Sequence, residues 1–168
     1  SSPQLEVSGR GRVDRLDEQP QLALNFEGNT EDIAVLVQAW DRQWPIPPHL
    51  EASVTGWLDL HGNEARLSGL VGQISGAGLS GRFTGSLINL IHVPRLTWDL
   101  NLDVAELGQL IEYYGGPGDY HESAQIRLHV RPSDKRALPL TVHGELLTDA
   151  LSAELTGEFE SFDGKSGF

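Results

Sequence analysis

The 168-residue chain contains no cysteine, which excludes a disulfide framework, a thiolate nucleophile and a cysteine-ligated zinc. It is also poor in positive charge: 12 Lys and Arg stand against 24 Asp and Glu, for a formal net charge of -12. Nucleic-acid binding needs clustered Lys and Arg to neutralise phosphates, and so does docking on an anionic membrane surface. Neither class of partner fits. No apolar run approaches the roughly 18 to 20 residues that a bilayer-spanning helix requires. The chain lacks a starting Met and a signal-peptide pattern, and it stops at Ser166-Gly167-Phe168. It reads as a segment of a longer protein, with any targeting or anchoring segment outside it.

What is present points to strands. Hydrophobic residues make up 39% of the chain and charged residues 21%, a balance too apolar for disorder. Nineteen glycines accompany Leu, Val, Thr and Ser, a mixture suited to many short strands joined by turns.

Those strands repeat. Val7-Ser8-Gly9-Arg10, Leu79-Ser80-Gly81-Arg82-Phe83 and Leu155-Thr156-Gly157-Glu158-Phe159 begin alike, with their glycines 72 and 76 residues apart. Pro20-Gln21-Leu22 and Pro94-Arg95-Leu96 follow the first two, 74 apart. Next come Leu22, Leu24 and Phe26 in one copy and Leu96, Trp98, Leu100 and Leu102 in the other, both with the period of a half-buried strand. A helical spacing then appears at Ile33, Leu36, Val37 and Trp40, and again at Leu107, Leu110, Ile111 and Tyr114. This order and period predict tandem repeats over residues 1–76 and 77–152, with a third starting at 153–168. Asp103 occupies a helix N-cap position with Glu106 three residues on, Asn29 and Asp32 fill the equivalent places, and Gly115-Gly116-Pro117 should stop the second helix. Alternation continues at Val54, Gly56, Leu58 and Leu60, at Ile126, Leu128 and Val130, at Leu138, Leu140 and Val142, and from Ala153 to Phe159. The predicted fold is mainly β: a long antiparallel sheet with two short amphipathic helices near 30–40 and 104–114.

Motifs for chemistry are sparse. Gly76-Ala77-Gly78-Leu79-Ser80-Gly81 matches G-x-G-x-x-G, but a dinucleotide loop must open a helix. The residues after it, Arg82 to Leu87, alternate like a strand, so a Gly-rich hairpin is expected there. The six histidines show no metal-binding spacing. His129 and His143 are placed to face each other on neighbouring strands, on the polar side. Asp99, Asn101 and Asp103 read as the wet face of a strand, and no carboxylate pair stands out for glycoside hydrolysis. There is no nucleophile elbow and no Walker loop. No catalytic role, cofactor or metal is predicted.

The run from Leu50 to Gly116 resembles the AsmA-like family of bacterial envelope proteins. The resemblance rests on Leu67-Ser68-Gly69-Leu70, on Leu-Ser-Gly-Arg-Phe from Leu79, and on Pro94-Arg-Leu-Thr-Trp-Asp-Leu-Asn-Leu. The helix starting at Asp103 closes the pattern. The first copy follows it more loosely, with Asn29-Thr30-Glu31-Asp32 where the family tends to carry Leu-Asp-Leu. The resemblance implies a curved, taco-like β-groove in the periplasm of a Gram-negative bacterium, anchored to the inner membrane through a segment outside this chain. It implies passage of phospholipid, or another acyl-chain lipid, towards the outer membrane, and pairing with flanking repeats of the same chain. The residues expected to line the groove are Val54, Leu58, Leu67, Val71, Leu79 and Phe83, with Ile126, Leu128, Leu140, Val142, Leu155 and Phe159. Two other readings compete. One is a β-repeat spacer whose own side chains fill its apolar face, and the other a carbohydrate-binding β-sandwich using Trp44 or Trp57.

Overall fold

The computed structural model describes residues 5–14, 21–34, 47–62, 64–89, 95–132 and 140–159. Among these residues nine strands run in chain order: β1 (Leu5–Asp14), β2 (Gln21–Thr30), β3 (Glu51–His61), β4 (Glu64–Gly76), β5 (Leu79–Ile88), β6 (Arg95–Val104), β7 (Ala124–Pro132), β8 (Leu140–Leu147) and β9 (Ser152–Phe159), and a helix, α1 (Leu107–Tyr113), lies between β6 and β7. They form a single sheet in the order β1 to β9, every neighbour antiparallel. It is an open meander with an edge at each end, so the strand pairing is local in sequence throughout.

Period-two alternation dictates this outcome, because each strand then offers one face that must leave water and one that need not. The registers align those faces across the sheet. One cross-strand row reads Val7, Gly28, Val54, Gly72, Phe83, Leu100, Leu128, Gly144 and Leu155. The adjacent row on the other face includes Thr84, Asp99, His129, His143 and Thr156.

The 74-residue spacing reappears in the elements. β1–β2 and β5–β6 share one register: Leu5 pairs with Thr30 and Leu79 with Val104, an interval of 74 residues in each case. Helical backbone begins at Ile33 and at Leu107, again 74 apart. Each of these first helical N–H groups donates to a carbonyl just ahead of the next strand: Ile33 to Leu50 at 2.8 Å and Leu107 to Glu122 at 2.9 Å.

The helix ends follow local chemistry, with one correction. Asp32 accepts a hydrogen bond from the Ala34 N–H at 2.9 Å and so caps the first helical turn. Its counterpart is Glu106, not Asp103. Glu106 is the N-cap of α1 and makes no side-chain capping bond, while Asp103 stays in β6, paired with Ser80 and Gln125. Strand pairing on both sides carries β6 past the predicted cap. The C-terminal stop is as read: Gly115 takes φ +82°, its N–H donates to Glu112 O and the Gly116 N–H to Ile111 O, both at 2.9 Å. That pair of bonds is the Schellman closure. Of the first predicted helix, near 30–40, residues 30–34 are described and only Ile33 and Ala34 of them are helical; Leu36, Val37 and Trp40 lie outside the described residues.

One packed cluster sits at the α1 end of the apolar face, and Ala65, Val130 and Leu140 are buried at the opposite strand ends. Leu50, Leu79, Val104, Leu107 and Ala124 form the cluster, with Ile33, Ile74, Leu110, Ile111, Ile126 and Leu146 packed around them. α1 lies over the cluster as a cap. Among the described residues no side chain falls below 2% exposure.

Candidate functional site

The feature most open to function is the apolar face beyond the helical cap. Among the described strand residues it carries no charged side chain; its one hydroxyl, Thr30, is 8% exposed at the capped end. All the charged strand residues, from Glu6 on β1 to Glu158 on β9, stand on the opposite face. Away from the cap the apolar residues are mostly half-buried by their neighbours, and no second layer of described structure covers them. At about 4.8 Å per strand step, the face extends about 38 Å across the nine strands.

Ten of the twelve predicted lining residues share this face by register. Val54, Leu58 and Leu67 come from β3 and β4, Leu79 and Phe83 from β5, Ile126 and Leu128 from β7, Leu140 and Val142 from β8, and Leu155 from β9; the Phe159 side chain lies outside the described ones. Val71 does not share the face. Thr55 pairs with Val71 and Trp57 with Ser68, so β4 spends an extra residue there, with Gly69 at φ +57°. This bulge turns Leu67 and Leu70 to the same side and sends Val71 to the polar face, 44% exposed. Leu70 takes the place predicted for Val71. The signal was Gly69 inside Leu-x-Gly-Leu, since a left-handed glycine within a strand marks a bulge.

The lining residues also differ in environment. Leu79 belongs to the capped core at 9% exposure, and Leu140 is buried at 3%, whereas Leu155 on the edge strand β9 is 69% exposed. Leu24, Phe26, Trp98 and Leu100, which were not among the expected lining residues, also stand on this face. Their own alternation was the available signal. Trp98 meets Phe83 edge to face, ring centroids 5.6 Å apart.

Glycine shapes the same surface. A Cβ on Gly72 would come within 2.1 Å of the Phe83 ring and 2.5 Å of the Ser53 carbonyl oxygen, and one on Gly56 within 2.7 Å of Leu70 and 3.0 Å of Phe26. Large side chains therefore lie down across glycines of neighbouring strands. Removing side-chain volume from one face alone lets that face close up more than the other.

Among the described residues the polar face holds one dense cluster of titratable groups. Asp99 Oδ1 accepts from His129 Nδ1–H at 2.6 Å and from Arg131 at 2.5 Å. The hydrogen bond from His129, then that from Arg131, holds the Asp99 carboxyl below its ordinary range. As an ionised acceptor it fixes the His129 proton on Nδ1. His129 and His143 pair directly across β7 and β8 with their rings stacked, centroids 6.4 Å apart. His143 reaches Thr156 at 3.2 Å and Glu145 at 3.6 Å, and Arg127 reaches Glu145 at 3.5 Å. Each charge meets an opposite one, so the cluster reads as a cross-strand tie between β6 and β9. Among the described residues no group of three or more potential ligands is placed to hold a metal ion.

The remaining motifs resolve simply. Ala77 and Gly78, at φ +49° and +72°, form a two-residue hairpin between β4 and β5. The G-x-G-x-x-G run therefore opens a strand, and no helix N-terminus stands there for a pyrophosphate. Trp57 stands on the polar face, 52% exposed; Trp44 lies outside the described residues. No helix among the described residues is long and apolar enough to cross a membrane. No protein-family model matches the chain, and neither a curated protein nor a solved structure is similar to it.

Proposed function

We propose that this chain is a segment of a periplasmic lipid-transport protein of the AsmA-like type, built from tandem repeats. Its apolar face is the groove along which phospholipid acyl chains pass between the inner and outer membranes. One observation carries the reading: nine strands align to give a face without a charged side chain among the described residues, half-buried or exposed over its middle and its β9 edge. An apolar patch of that extent on a soluble chain marks a surface built to meet something apolar. Half the hydrocarbon core of a bilayer is about 15 Å, so an acyl chain fits within the width of the face. Each methylene taken from water gains about 0.8 kcal/mol, enough to hold a chain without a specific polar contact. The glycine-rich apolar side supports a concave groove, and the equal spacing of elements supports the repeat. The β9 edge is where a following strand would continue the sheet.

A second reading has its own observation. Phe83 and Phe26 fill space above Gly72 and Gly56, as they would in a spacer whose face is satisfied by its own side chains. Native mass spectrometry of the chain purified from a Gram-negative host separates the two. Adducts of phospholipid mass, confirmed by solvent extraction, support the conduit. A protein that stays free of lipid under the same conditions, and after incubation with phospholipid vesicles, leaves the spacer.

A further inference from the structure

We propose that the polar face carries a carbohydrate-binding platform centred on Trp57, which takes a β-1,4-linked glycan of glucose configuration. Among the described strand residues Trp57 is the one Phe, Tyr or Trp on that face, and it is 52% exposed. A large apolar ring left open on a wet face is the informative exception to burial. β3 pairs with both β2 and β4, so the ring stands inside the sheet and not at an edge. The bulge that displaces Val71 also seats the ring. A Cβ on Gly69 would stand 3.5 Å from Trp57 Cδ1, so the indole leans over a position that has no side chain.

The polar groups around it are unspent. Asn25 and Ser68 stand directly across from Trp57 on the neighbouring strands, and two residues along, Asp59 faces Arg66. None of these four side chains makes a hydrogen bond or ion pair among the described residues. On the same face Asp99, His129 and Arg131 satisfy one another. The Asp59 and Arg66 charges cancel, which suits an uncharged ligand on a chain of net charge -12. A flat apolar centre ringed by free donors and acceptors matches a pyranose. In the β-glucose configuration every ring substituent is equatorial. The axial C–H bonds can then stack on the indole while the hydroxyls project sideways. Side chains about 5 Å away across strands and about 7 Å away along one meet those hydroxyls: Arg66 donates, Asp59 accepts and Asn25 does both. A β-1,4 linkage keeps successive rings in a flat ribbon that an open sheet face can seat, whereas an α-1,4 glycan coils away from it.

The platform lies on the face opposite the proposed groove, so its test in buffer without lipid is independent of lipid passage. Cellohexaose and chitohexaose, which share ring configuration and linkage, are titrated into the 168-residue chain by calorimetry, with maltohexaose as the coiled control. Binding of at least one of the first two is expected, and it should shift the Trp57 indole N–H resonance, identified as the one that Trp57→Phe removes. Trp57→Ala should weaken binding at least about tenfold, and Trp57→Phe, which keeps a flat ring, should lose less. Asn25→Ala and Arg66→Ala should each weaken it about threefold to tenfold. All three positions are exposed, and circular dichroism should show every variant folded. No binding of either glycan, equal binding of maltohexaose, or affinity indifferent to Trp57→Ala, Asn25→Ala and Arg66→Ala would each overturn the proposal. So would a Trp57 resonance that moves with phospholipid vesicles and not with glycan, because that pattern belongs to a membrane contact.

Discussion

The ends and the middle of the apolar face are made of the same residue types and meet different fates. At the α1 end Leu50, Val104 and Ala124 are 2–5% exposed and belong to a packed cluster. At the opposite strand ends Ala65, Val130 and Leu140 are also buried, at 3–7% exposure. Towards the sheet's middle and its β9 edge, Leu58 and Leu128 are half-buried, and Leu155 is 69% exposed. Side-chain chemistry does not explain the difference. Hydrophobic pattern specifies a face; what lies over each position decides whether it becomes core.

That contrast can be broken by charge. Val104→Asp would bury an unpaired carboxylate at the closed end and should destabilise by about 3–5 kcal/mol, visible as a large fall in the midpoint of urea unfolding. Leu140→Asp belongs with it, because Leu140 is 3% exposed; the parity of the strand alone had placed it with the tolerant groove positions. Leu155→Asp should cost less than about 1 kcal/mol, its carboxylate staying hydrated at the edge, while reducing lipid capture. An intermediate effect tests the shape of the face. Gly72→Ala sets a methyl against Phe83 and the Ser53 carbonyl and should cost about 1–3 kcal/mol, as overpacking does, measured by thermal unfolding.

The least effect comes from the polar face. The Asp99 carboxyl is held below its unfolded value, so its contribution is present above the unfolded pKa and is lost as pH falls through the folded one. The Asp99 side chain is 31% exposed, and solvent screens the cluster. Asp99→Asn should therefore lower stability at neutral pH by no more than about 1 kcal/mol. The gap between variant and parent should close as the pH is taken into the acid range below the ordinary Asp pKa. A gap that persists there would show that the cost is packing, not charge.

Much of this architecture was legible in the residues. Period-two runs located the strands and sorted their faces, the histidine pair fell where alternation put it, and Gly115-Gly116-Pro117 stopped α1 as read. Two features were not legible, and both depend on partners. The bulge at Ser68-Gly69 is fixed by pairing with both β3 and β5, and alternation counted through it sends Val71 to the wrong side. The start of α1 is set by Val104 pairing with Leu79 and Ala124, which outweighs the capping preference of Asp103. Burial along the face was also hidden, because it depends on what covers each position.

The central claim is that one face of the sheet meets lipid and the other does not. Photo-crosslinking side chains placed singly at Leu58 and Leu128, on the apolar face, and at Asp59 and Arg127, beside them on the polar face, test it directly in cells. The account predicts phospholipid adducts from the first pair and none above background from the second. Equal capture from both faces, or none from Leu58 and Leu128, would contradict it.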